Sequence, residues 1–224
     1  MKQRFHLLWK ANRSFFLFVC VMLIFRSAVA DWNTVPTGSM KPTILEGDRI
    51  FVNKMAYDLR LPFTHISLLK RGDPARGDII IFDSEVMDKR LVKRVIGLPG
   101  DVVAMQHNQL WINGEKLAYR DSATAAGRTD KIENLLGVAH WVRRLGHDSR
   151  LSSFRPATVP PDHYLVLGDN RDNSADSRVI GFVPRGEIVG RSRYVVLSLN
   201  YDHYYLPRAD RFMKQLQVLA RPMV

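Results

Sequence analysis

One cysteine, Cys20, stands among 224 residues, so an intramolecular disulfide is excluded and the fold has to rest on its core. Cys20 lies inside the chain's single long apolar run, where it reads as a small apolar side chain. No second run is long enough to span a bilayer. Acidic side chains are in deficit, 22 against 33 Lys and Arg, for a formal net charge of +11. Such an excess raises nucleic acid as a partner. The chain lacks a basic helix, an aromatic stacking motif and zinc-finger spacing, so no nucleic-acid partner is expected. Lys2, Arg4, Lys10, Arg13 and Arg26 instead surround the apolar run, a placement suited to anionic lipid. The histidines occur in no Gly-x-Ser-x-Gly or His-Glu-x-x-His frame, and Ser-x-x-Lys fails because Pro42 takes the lysine position. A calcium loop starting at Asp172 fails too, with Ser177 where glycine and Val183 where glutamate would stand. Neither a metal nor a cofactor is expected.

The apolar run itself, Phe15 to Phe25, follows a basic stretch and precedes Arg26 and Ala28-Val29-Ala30. As a cleavable leader it has a charged start, a short apolar centre and an Ala-x-Ala site. Arg26 intrudes between that centre and that site, and the favoured reading is an uncleaved anchor, with Arg26 snorkelling to the interface. Residues 1–13 then form a basic cytoplasmic tail and 14–30 a single transmembrane anchor, and 31–224 lie on the extracytoplasmic side because positive residues stay inside. Cleavage of the anchor after Ala30 by another copy remains an open alternative.

Beyond the run, 46% hydrophobic composition fits one folded unit. Short β-branched and aromatic stretches recur at Arg49–Asn53, Asp78–Phe82, Leu91–Gly97, Asp101–Met105, Gln109–Ile112, Tyr164–Leu167 and Ser192–Leu199, which predicts a mostly β fold. Asn113-Gly114 between two of them reads as a tight hairpin. The stretch from Asp121 to Arg155 is polar with weak periodicity and reads as a small mobile insertion, with at most one short helix near Ile132–Leu136. Residues 104–160 are accordingly read as a reduced second subdomain. Phe212, Leu216 and Leu219 recur at helical spacing and predict a C-terminal helix packed on the domain.

Two polar residues sit in apolar frames. Ser39 lies in Val35-Pro36-Thr37-Gly38-Ser39-Met40, and Lys93 interrupts Leu91-Val92-Lys93-Arg94-Val95-Ile96. A lysine held among branched apolar residues tends towards the neutral amine, which can act as a base, and a serine beside it becomes a nucleophile. Strand alternation puts Lys93 and Arg94 on opposite faces, so one can be buried while the other stays in water. Lys41 and Lys54, the rival bases, lie at a turn and a strand end and read as solvated.

Taken with Gly168 to Arg178, these segments resemble the conserved boxes of bacterial type I signal peptidase, a membrane-bound Ser/Lys endopeptidase. The matching stretches are Gly38–Thr43, Arg76–Phe82, Lys93–Asp101 and Gly168–Arg178, in that order behind an apolar segment. The resemblance implies Ser39 as nucleophile, Lys93 as general base and the Thr37 hydroxyl with the Ser39 N–H as oxyanion donors. Thr37 stands where the family more often has serine. It further implies Ser174 as the group orienting the lysine amine and an Asp176–Arg178 ion pair in support.

By the same resemblance the substrates are signal peptides of exported preproteins, bound by edge-strand addition with small side chains at alternate positions. Met40, Ile81, Phe82 and Val92 are the candidate substrate-binding residues. The implied setting is the bacterial inner membrane, single-pass and monomeric. A pilus-maturation peptidase of the same superfamily and a non-catalytic envelope scaffold are the alternatives.

Overall fold

The computed structural model of the chain describes residues 2–64, 66–125 and 127–216. In chain order the elements are α1 (Lys2–Ala28), β1 (Ala30–Thr34), β2 (Asp48–Asn53), β3 (Asp58–Arg60), β4 (Ser67–Lys70), β5 (Ile79–Ser84) and β6 (Lys89–Gly97). Then follow β7 (Val102–Gln106), β8 (Gln109–Ile112), β9 (Glu115–Lys116), β10 (Ala118–Ala125), β11 (Arg128–Leu135) and β12 (Val138–Leu145). The chain continues through β13 (Phe154–Thr158), β14 (His163–Leu167), α2 (Ser177–Ile180), β15 (Val183–Pro184), β16 (Ile188–Asn200), β17 (Leu206–Pro207) and β18 (Lys214–Gln215). The fold is mostly β.

One large antiparallel sheet carries the strand order β1-β2-β16-β5-β6-β14-β15, with β17 and β18 pairing on β16. Its centre is β5, whose Ile79-Ile80-Ile81-Phe82 run is buried throughout. Because successive side chains point to opposite faces, Ile79 and Ile81 join a core with Met40, Ile50 and Val195. Ile80 and Phe82 join another with Val95, Val166 and Ile188. Strand β2 alternates buried Asp48, Ile50 and Val52 with exposed Arg49, Phe51 and Asn53, the pattern of a sheet with one wet face.

Beyond β6, where strands are expected at Asp101–Met105 and Gln109–Ile112 and a loop-like insertion over Asp121–Arg155, two further sheets form. One has the order β13-β7-β8-β9, and the other is the three-stranded β10-β11-β12. The expected helix at Ile132–Leu136 is instead the end of β11, paired residue by residue with β12. The buried positions there include Glu133 and His140 beside Leu135 and Val142, so the inward face is half polar and its alternation is invisible in hydropathy. The hairpin turn is Leu136-Gly137, at φ 49° and 98°, without the Asn-Gly signal that marks Asn113-Gly114 at φ 52° and 82°.

The expected C-terminal helix is also absent up to Leu216. Lys214 and Gln215 pair with Val195 and Tyr194, Leu216 is buried in the first core and Phe212 stays exposed, so the two share no helical face. Leu219 lies outside the described residues.

Helix α1 is joined to the sheet at its C-terminal end. Lys54 Nζ donates to the Arg26 and Ser27 carbonyls at 2.7 and 3.2 Å, a cation at the negative end of the helix. Arg26 pairs with Asp31 at 2.8 Å and stacks on Trp32. Ala28 and Ala30 are buried and Ala30 pairs with Asn53, so the Ala-x-Ala site of the leader reading is packed at the junction of α1 and β1. Among the described residues no helix is long and apolar enough to cross a membrane. The uncharged stretch between Arg13 and Arg26 is only about 18 Å long at helical rise.

Candidate active site

Ser39 occupies a single 3-10 turn, Gly38–Met40, held on both sides by core residues Val35 and Met40. Two backbone bonds, from Val35 N to the Asp48 carbonyl and from Gly47 N to the Val35 carbonyl, fasten its approach to β2. Lys93 comes from β6, opposite Ile80 of β5, and is 3% exposed. Its Nζ lies 3.0 Å from Ser39 Oγ and 3.0 Å from the Val92 carbonyl. Burial lowers the Lys93 pKa from 10.5 to about 8, with Asp176 and Asp169 pulling the other way and Arg178 reinforcing the fall. A neutral amine is therefore accessible near neutral pH, placed to accept the serine proton.

The third segment, between β14 and α2, underlies this pair. Asn170 donates from its backbone N to the Ser39 carbonyl at 3.0 Å and from Nδ2 to the Gly38 carbonyl at 3.0 Å. Gly168 allows the approach: a Cβ there would lie 2.5 Å from the Ser39 carbonyl oxygen and 2.2 Å from Ser174 Oγ. Asp176 caps α2 through Arg178 N, accepts from Gly168 N at 2.9 Å and forms a two-pronged pair with Arg178 at 2.7 and 2.6 Å.

Several residues singled out by sequence occupy other surroundings than expected. Arg94 is not wet: it is fully buried and grips Asp169 at 2.8 and 2.7 Å, with Thr43 Oγ1 donating to the same carboxylate. Removing one partner of such a pair strands a buried charge, at a cost of about 3–5 kcal/mol. Lys41 is paired with Glu46 at 2.9 Å and Lys54 is committed to the end of α1, so neither is a free base. Ser174 is buried and its Oγ has no hydrogen-bond partner among the described residues. The Lys93 amine donates to the Val92 carbonyl at 3.0 Å. Thr37 precedes the Ser39 turn with φ −126° and ψ 154°, and its side chain makes no bond to the turn.

A cavity of about 510 Å³ runs from Ser39 and Lys93 between Trp32–Thr37 on one wall and Lys89–Val92 on the other. Met40 and Val92 line it, whereas Ile81 and Phe82 do not, because strand alternation sends each into a different core. Among the described residues both walls present unpaired strand edges. There β1 pairs only with β2, and β14 joins β6 only from Arg94 onward, leaving Lys89–Lys93 open on that side.

Asp169, Asn170, Arg94 and Thr43 escaped the sequence reading as members of the site. Asp169 carried a signal comparable to that of Lys93, a charge one glycine beyond the apolar run Tyr164–Leu167. Asn170 carried none, since an asparagine in a Gly-Asp-Asn turn is locally unremarked.

Residues 8–197 match the family described as Signal peptidase, peptidase S26. The chain is 38% identical over 209 residues to signal peptidase I of Pseudomonas aeruginosa, covering 86% of this chain and 73% of that protein. It is 35% identical over 207 residues to signal peptidase I of Rickettsia typhi, covering 83% and 78%. A crystal structure of a signal peptidase I from Enterococcus faecalis aligns with 53% of this chain and 96% of its own, at 32% identity and a TM-score of 0.36. On the family match over residues 8–197 and the likeness to the Pseudomonas enzyme, the chain belongs to the signal peptidases of peptidase family S26 and is a serine endopeptidase.

Proposed function

We propose that the chain removes signal peptides from preproteins after Ala-x-Ala sites, with Ser39 as nucleophile and Lys93 as general base. The observation that supports this reading best is the 3.0 Å contact between Ser39 Oγ and a buried lysine amine at the end of a groove with two open strand edges. An extended peptide laid in that groove gains backbone hydrogen bonds from β1 and from Lys89–Lys93, and its alternate side chains face the walls. Met40 and Val92 restrict the space beside Ser39, which favours small residues such as alanine at the scissile bond.

Neutral Lys93 takes the Ser39 proton as Oγ bonds to the carbonyl carbon. The resulting oxyanion is received by the Ser39 N–H and the Thr37 hydroxyl. Collapse breaks the C–N bond, Lys93 returns the proton to the leaving amine, and the signal peptide remains as an ester on Ser39. Lys93 then deprotonates a water that attacks the ester and frees the serine. Val92 orients the amine through its carbonyl, and Ser174, with its hydroxyl uncommitted, is the candidate for a second hold. Asp176 and Arg178 support the segment that carries Ser174.

The same reading places α1 in the inner membrane, with Phe15, Leu17 and Phe18, each more than half exposed, facing lipid. Arg13 and Arg26 mark the two interfaces, a short span that a locally thinned bilayer accommodates. The groove then opens near the extracytoplasmic surface, where a tethered preprotein presents its cleavage site.

Full-length protein reconstituted in liposomes with an Ala-x-Ala preprotein tests both parts. N-terminal sequencing is expected to find one new terminus directly after the second alanine, and the enzyme is expected to remain with the vesicles after a carbonate wash. Cleavage at unrelated residues contradicts the substrate assignment. Release into the supernatant contradicts the anchor.

A further inference from the structure

We propose that Glu133, in the second subdomain, is a positioning residue for the catalytic turn and acts through Arg171 and Asn170. The inference rests on the assignment of Ser39 as nucleophile. Glu133 lies on β11 and is fully buried. The Arg171 guanidinium, 1% exposed, donates to both of its carboxylate oxygens at 2.8 and 2.6 Å, and Tyr119 OH of β10 donates to one of them. His140 Nε2 of β12 stands 3.3 Å away, and burial holds this imidazole well below its usual pKa, so it adds no charge to the pair.

The neighbouring strand grips the same segment by its backbone. Arg143 N of β12 donates to the Asp169 carbonyl at 2.7 Å, and Arg171 N donates to the Arg143 carbonyl at 2.9 Å. Asn170 is thus enclosed, with β12 bonded to the residues on either side of it and β11 holding the guanidinium of the next residue. Asn170 in turn bonds both the Gly38 and the Ser39 carbonyls. The path from Glu133 to the nucleophile runs through the Glu133–Arg171 pair, the Asn170–Arg171 peptide link and the Asn170 bonds to the turn, its hydrogen bonds all between 2.6 and 3.0 Å. The β10-β11-β12 sheet therefore serves the reaction by fixing the height of Asn170 beneath the turn. The groove walls, β1 and Lys89–Val92, have no part in this path, so substrate binding is left largely intact when it is broken.

Displacement of a nucleophile by about 1 Å lowers turnover by about 10²-fold. In Glu133→Gln, kcat for a signal-peptide substrate is expected to fall by about that factor while KM stays within about twofold of wild type. A merely structural pair predicts otherwise, and Glu133→Leu with Arg171→Met separates the cases. Removing both charges at similar volume is expected to restore the melting temperature without restoring kcat, because the hold on the segment is still missing. Ser39→Ala is measured alongside. An inactive Ser39→Ala beside a Glu133→Gln with wild-type kcat overturns the positioning role alone, as does recovery of kcat together with melting temperature in the double variant. Full activity in Ser39→Ala overturns the nucleophile assignment itself.

Discussion

Ser39→Ala is expected to lower kcat/KM for an Ala-x-Ala preprotein by at least about 10⁴-fold, since removal of a serine-protease nucleophile costs about 10⁶-fold in kcat. Lys93→Met does the same. The two losses do not multiply in the double variant, because a base without a nucleophile and a nucleophile without a base are equally idle. Neither substitution is expected to unfold the chain. Ser39 contributes one hydroxyl at the end of a groove, and its turn is fastened by backbone bonds that alanine keeps. Methionine fills the volume of the lysine stem and removes a buried amine whose charged form the fold disfavours. Circular dichroism and thermal melting check the fold, and discontinuous cleavage assays check the rate. Substantial cleavage by either single variant contradicts the dyad.

Gly168→Ala is expected to lower kcat by about 10²-fold, although it adds one methyl group to a residue that touches no substrate. The added Cβ would lie 2.5 Å from the Ser39 carbonyl and 2.2 Å from Ser174 Oγ, distances that side chains do not tolerate. Rotation of Ser174 moves its hydroxyl but not its Cβ, which would stand 2.5 Å from the new methyl group. The Ser39 carbonyl belongs to backbone and has to shift, carrying with it the N–H assigned to the oxyanion. Overpacking of this kind costs about 1–3 kcal/mol of stability. The melting temperature is thus lowered modestly while the rate falls much further. Equal activity in Gly168→Ala and wild type would show that the turn tolerates displacement, contrary to the geometry.

How far the sequence disclosed this arrangement depended on whether burial and polarity coincided. The large sheet was legible because β2, β5, β6 and β16 follow the ordinary code of apolar residues inward. Ser39 and Lys93 stood out for the converse reason, as polar residues in apolar frames, and the structure brings them within 3.0 Å of each other, one from a 3-10 turn and one from a strand. The β10-β11-β12 sheet was not, since it buries Glu133 and His140 and satisfies the glutamate with Arg171, a partner 38 positions away. No local pattern encodes such a pairing. Arg94 was misplaced by the assumption that a charge opposite a buried lysine must find water, when Asp169 supplies the counter-charge from 75 positions away. Ile81 and Phe82 pair with Val92 and Leu91 in the sheet, yet alternation gives them to the cores and leaves the groove to Val92 and Met40.

The ionisation of Lys93 also affects stability. Its pKa in the folded chain, about 8, lies below the ordinary 10.5, so between these values the unfolded chain binds the extra proton and stability rises with pH. Below about pH 8 the folded chain carries the whole penalty of a buried ammonium, about 3 kcal/mol for a shift of this size. In the proposed mechanism the same proton controls the reaction, because only the neutral amine can act as base.

Direct titration of the Lys93 amine tests the central claim most closely. With ¹⁵N-labelled lysine, the Nζ resonance that disappears in Lys93→Met is followed with pH in the Ser39→Ala protein and compared with the pH dependence of kcat/KM in wild type. A Lys93 pKa of about 8, matched by an ascending limb of kcat/KM at the same pH, is the result this mechanism predicts. A Lys93 that titrates at 10.5 while cleavage rises through a lower pKa would assign the base to another group and contradict it.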